Sequence, residues 1–130
     1  MITAFVTGVT AALLLAGALV YDGGQLLVAR RHAVNVAASA ARFGAQEVDV
    51  DALYRGEGVH LNSDRAEAAA IEAALADGAS SATANATADS VEVRVVFPDQ
   101  SVLAGVAGAG GVASIKGAAS ARVARGTDQG

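Results

Sequence analysis

The spacing of apolar residues divides the chain into an unbroken apolar run, a striped helix and a set of alternating segments. From Ile2 to Tyr21 twenty residues pass without a charge. Coiled as a helix rising about 1.5 Å per residue, such a run is about 30 Å long, the thickness of a bilayer's hydrocarbon. Ile2, Phe5, Val6, Val9, Leu13, Leu14, Leu15, Leu19 and Val20 each favour insertion by about 0.3 to 0.6 kcal/mol, while the intervening Gly, Thr and Ala contribute little. A retained transmembrane helix over 1–21 is therefore expected. Two rivals stay open. Ala16-Gly17-Ala18 has the form of a signal-peptide cleavage site, although no Lys or Arg precedes the run. A buried helix of a soluble protein is the other.

Within this run Ala4, Gly8, Ala12 and Ala16 recur every fourth residue. Small residues at that interval let helices approach closely in lipid, where association rests on packing. Together with Phe5 and Leu13 they are the candidate membrane and assembly residues. An alanine-rich anchor with no packing role produces the same ladder.

Asp22 ends the apolar run, and Gly23-Gly24 follows. Each glycine costs about 1 kcal/mol in a helix interior relative to Ala, so a bend or loosened turn is expected there, a candidate hinge. Helical spacing then resumes. Leu27, Val34, Ala38, Ala41, Ala45 and Val48 fall at intervals of 7, 4, 3, 4 and 3 and read as one apolar stripe of an amphipathic stalk over 22–48. Asn35 lies beside this stripe and joins the stalk-packing set.

Residues 49–62 read as a connector with turns at Gly56 and Gly58. Asp64 is placed to cap a helix running to Asp77, with Glu67 at capping-box spacing, Gly78 as the C′ residue and Ala70, Ile71, Ala74 and Leu75 as the buried face. Ser80 to Ala88 alternates alanine with polar residues; Val91 to Phe97 alternates more clearly and stops at Pro98. Ala113 to Val123 alternates again, as an edge or returning strand. The expected architecture is α+β. A long N-terminal transmembrane and stalk helix joins a head over 49–125, in which one further helix packs on a three-stranded antiparallel sheet. A disordered tail over 126–130 ends the chain.

Composition sharpens this picture. Of the 130 residues 53% are hydrophobic but only 4% aromatic, so alanine, valine and glycine must build the core. Such a core buries little area per residue, and partners or lipid are expected to complete it. Cysteine is absent, and the net charge of −4 argues against nucleic acid as a partner.

Candidate chemistry is sparse. His32 and His60 lack metal-ligand spacing, and Glu47, Asp49 and Asp51 read as a solvated acidic connector without the calcium-loop pattern. Gly108, Gly110 and Ala113 fit a relaxed G-x-G-x-x-A, but no βαβ unit surrounds them. No serine lies in a G-x-S-x-G setting. Asn85-Ala86-Thr87 matches a glycosylation sequon, a pattern short enough to arise by chance. No enzyme activity, cofactor, metal or small-molecule substrate is expected.

The run from Gly17 through Ala45, with Asp22-Gly23-Gly24, Ala29-Arg30-Arg31, Asn35 and the alanine series to Gly44-Ala45, resembles the N-terminal segment of TadE/TadG-like proteins. These are pilin-like components of the Tad (Flp) branch of type IV pili. The resemblance departs in three places: Ala38 and Ser39 stand where many relatives carry an acid, no basic leader precedes the run, and Phe5 stands where type IV pilins carry glutamate. It implies a minor or priming subunit that assembles through its N-terminal helix. Implied partners are other pilin-like subunits, the pilus assembly platform and membrane lipid. It also implies a head outside the cytoplasmic membrane, in an extracellular pilus once assembled. Arg30 and Arg31 alone would hold the head in the cytoplasm by the positive-inside rule. An anchored binding protein that never polymerises, and a secreted protein with a cleaved signal, are the alternatives.

Overall fold

The computed structural model describes residues 1–98 and 114–123. Helix α1 runs from Ile2 to Gly44, α2 from Val50 to Tyr54 and α3 from Ser63 to Ala76; strands are β1 (Ser81–Ala86), β2 (Ser90–Pro98) and β3 (Ser114–Arg122). The sheet order is β1-β2-β3, antiparallel throughout. The architecture is α+β, with a long apolar N-terminal helix, a further packed helix and a three-stranded sheet.

Helix α1 passes through Gly23 and Gly24 without interruption, so the loosened turn expected there is not present in this structure. Good helix formers on either side carry the hydrogen-bond ladder across the pair. The helix stops at Gly44, four residues short of the expected end. Val48 instead bridges Leu61 across the connector, where the Asp49 and Asn62 amides donate to His60 and Glu47 carbonyls at 2.7 and 2.9 Å. The connector also contains α2, not expected from the sequence, capped by Asp49 accepting from the Ala52 amide at 3.1 Å.

For α3 the N-cap is Asn62 and not Asp64: its side chain accepts from the Arg65 amide at 3.2 Å. Starting the helix earlier frees Glu67 from any capping box, and its Oε1 accepts instead from the Ala86 amide on β1 at 2.9 Å. Gly78 takes the expected place after the helix with φ +96°. The buried face of α3 is Ala66, Ala70 and Ala74; Ile71 is half-buried and Leu75 is exposed, contrary to expectation. Close approach to α1 favours alanine at the contact and leaves a leucine at the margin.

One face of the sheet is covered by two helices, not one. The second half of α1 lies over β2 and β3, and α3 lies over β1. Val91, Val93 and Val95 are the largest side chains wholly buried, among Ala33, Val36, Ala37, Ala40, Ala41, Ala66, Ala70 and Ala74. Small side chains let the backbones nearly touch. A Cβ on Gly44 would stand 2.7 Å from the Ala66 carbonyl oxygen, and one on Gly117 would stand 2.5 Å from the Ala33 carbonyl carbon. The Gly-rich stretch and the tail over 126–130 lie outside the described residues.

Candidate assembly surface

The first half of α1, from Ile2 to Tyr21, is exposed apart from half-buried Ala18. Its most apolar eighteen-residue window is long and apolar enough to cross a membrane, and none of it is buried. Leu13, Leu14 and Leu15 are 68, 70 and 65% exposed, and Phe5, Leu19 and Val20 are similar. Burying side chains of this size is worth about 1.5 to 3 kcal/mol each, so leaving the set in water costs on the order of 10 kcal/mol. This surface requires a cover.

The polar groups along the run fit an apolar cover. Thr7 and Thr10 donate their hydroxyls to the Thr3 and Val6 carbonyls at 2.7 and 2.8 Å, so neither enters lipid unpaired. Tyr21 ends the run and accepts from Gln25 Nε2 at 3.2 Å, the kind of amphipathic ring found at a membrane boundary. Asp22 is buried, whereas Arg30 and Arg31 are exposed.

Ala4, Gly8, Ala12 and Ala16 are all exposed, and space is open where Gly8 and Gly17 would carry a Cβ. Phe5 and Leu13 are exposed with them. Gly23 and Gly24 likewise face open space.

The stalk-packing set fares differently. Ala41 is buried in the head, Ala38 and Ala45 are half-buried, and Leu27, Val34 and Asn35 are exposed. The face turned to the head is Ala33, Val36, Ala37, Ala40, Ala41 and Gly44, rotated from the expected stripe. Its i, i+3, i+4, i+7, i+8, i+11 spacing was the available signal. His32, exposed, meets the Phe97 ring at a tilt with centroids 5.3 Å apart.

At the other end of the head Arg55 meets Glu57 at 3.0 Å. That hydrogen bond raises the Arg55 pKa above its ordinary value, opposed by burial and assisted by Asp49 and Asp51. The guanidinium stays charged at any working pH. Among the described residues no group of three or more His, Asp or Glu is arranged to hold a metal ion.

Residues 1–47 match the protein family described as "Putative Flp pilus-assembly TadE/G-like". No curated protein and no solved structure matches the chain. The matched segment takes in the exposed run, the head-packed half of α1 and the residues just beyond its C-cap. The resemblance to TadE/TadG-like proteins thus holds over this segment. It links this segment to Flp/Tad pilus assembly. The apolar helix agrees with anchoring in a membrane.

Proposed function

We propose that this chain is a minor or priming pilin-like subunit of a Tad pilus, held in the cytoplasmic membrane by residues 1–21 with its head outside. Assembly exchanges lipid for the helices of neighbouring subunits. The observation that carries this is the contrast along α1: an exposed apolar half long enough to span a bilayer, continuous with a half fixed in a folded head. In lipid, apolar side chains gain little from meeting one another, so packing decides association. The open ladder of Ala4, Gly8, Ala12 and Ala16 is suited to that. Gly23 and Gly24 supply flexibility between anchor and head when the subunit changes surroundings. Leu27, Val34 and Asn35 meet the stalks of other subunits. The presence of a head supports a minor role over that of the main filament subunit.

The test is recovery of the chain, with N-terminal sequencing, from filaments sheared off cells. The expected result is a substoichiometric subunit whose apolar run is intact. Retention of the intact chain in the membrane while filaments lack it would identify an anchored binding protein. A mature chain beginning near Leu19 would identify a cleaved signal and overturn the proposal.

A further inference from the structure

The face of the sheet turned away from the helices, with Arg30 and Val34 of α1, carries a cleft whose cations and hydroxyls have no part in the proposed function. Antiparallel register sets side chains in rows. One row is Ser81, Val96 and Lys116; the next is Thr83, Arg94 and Ala118. Gly117 lies between Lys116 and Ala118, and its missing side chain lets α1 press its backbone onto β3 at Ala33 and Val34. One turn earlier on α1, Arg30 reaches the same strand edge. These residues line a cleft of about 500 Å³, within the range of small-ligand sites.

Among the described residues three cations and two hydroxyls line it, and no acid does. Glu92 sits one row further along and pairs with Arg94 at 2.7 Å. Among the described residues Arg30 and Lys116 enter none of the ion pairs, which are Arg55–Glu57, Arg65–Glu47 and Arg94–Glu92. Val34, Val95, Val96, Gly117 and Ala118 complete the lining, and the three charged side chains belong to exposed residues. Guanidinium, ammonium and hydroxyl donors around a shallow pocket suit a tetrahedral oxyanion.

The cleft lies at one particular end of the molecule. Gly44, at the far end of α1, approaches Val91, whereas Ala33 approaches Gly117. The row containing Lys116 is therefore at the end of the sheet nearer the apolar half of α1. Arg30 is nine residues past Tyr21, about 14 Å along the helix, and the headgroup layer beyond the hydrocarbon is about 5 to 8 Å deep. Exposed Leu26, Leu27 and Val28 carry the apolar surface to within two residues of Arg30. The Arg30 backbone thus stands about 6 to 9 Å beyond the headgroups, a gap narrowed by a long cationic side chain extending toward them.

We propose that Arg30, Arg94 and Lys116, with Ser81 and Thr83, form a binding cleft for a phosphate-bearing anion, supplied by a phospholipid headgroup or by free phosphate. The cleft stands on sheet register and charge, and does not depend on the pilus role.

The full chain is placed in nanodiscs, and the amide signals of Ser81, Thr83 and Ala118 are followed by nuclear magnetic resonance. One arm adds inorganic phosphate to discs of phosphatidylcholine, with chloride at matched ionic strength as the control. The other replaces half the lipid by phosphatidylglycerol. Shifts in the phosphate arm support the cleft with free anion as an adequate ligand; shifts confined to phosphatidylglycerol support it with the headgroup as ligand. Exchanging Arg30→Gln and Lys116→Gln together should weaken the response about three- to tenfold per cation, leaving the Ala66 and Ala70 signals of the core in place. No shift in either arm, an equal shift with chloride, or an undiminished response in the double variant would overturn the proposal.

Discussion

Between Ile2 and Val28, α1 carries exposed leucines, valines and Phe5, whereas from Ala33 to Gly44 six positions are enclosed, four of them alanine. The larger side chains are the exposed ones. Within the head, burial follows how closely backbones approach, and alanine or glycine at the contact brings a second helix or a strand near enough to exclude water. A single helix thus has two kinds of surface, one enclosed by the head and one exposed.

The strongest way to break this contrast is to put the same charge in both halves. Ala40→Asp buries a carboxylate against the sheet and should cost the head about 3 to 5 kcal/mol, read from denaturant melts of the full chain in detergent. Ala12→Asp should leave that melt unchanged within about 0.5 kcal/mol. It should instead reduce membrane insertion by about 2.5 to 3.5 kcal/mol, read by alkaline extraction of membranes. Equal effects of the two on the melt would refute the division.

Adding bulk sharpens it. Gly117→Val drives a side chain into the α1 backbone and should cost about 2 to 3 kcal/mol, while Gly17→Val, facing open space, should stay within about 0.5 kcal/mol in the same melt. A smaller effect concerns how α3 is tied to the sheet. Glu67→Ala removes the acceptor for the Ala86 amide and should cost about 1 kcal/mol, with faster hydrogen exchange at Ala86. Smallest is the helix cap: Asn62→Ala should cost about 0.5 kcal/mol, and Asp64→Ala less than half of that.

Much of the fold was legible because its signals are local. Gly78 with a positive φ, Pro98 at the end of β2 and the alternation of Val91, Val93 and Val95 each act within a few residues. The apolar run was legible because length and absence of charge alone define it. The head-packed face of α1 was not. Alanine stands at 29, 33, 37, 38, 40, 41 and 45, so several stripes have nearly equal apolar content, and only the partner surface selects among them. Nothing in the neighbours of Gly117 announces that a helix backbone presses on it. Glu67 was misread because its spacing from Asp64 satisfies a capping rule, and the long-range bond to Ala86 leaves no local trace. Five residues of α2 are too few for a periodicity to form. The cationic cleft joins residues from α1 and all three strands, so no contiguous motif marks it.

The central claim is that the free half of α1 becomes enclosed by other subunits. Because the chain has no cysteine, single cysteines introduced at successive positions from Ala4 to Ala16, and at Ala37 as a core control, report on neighbours without background. Oxidative cross-linking in isolated filaments should join the chain to other cysteine-bearing subunits at Ala4, Gly8, Ala12 and Ala16, more weakly at the positions between them, and not at Ala37. Uniform absence of cross-links along the run, with the intact chain in the filament, would contradict the account.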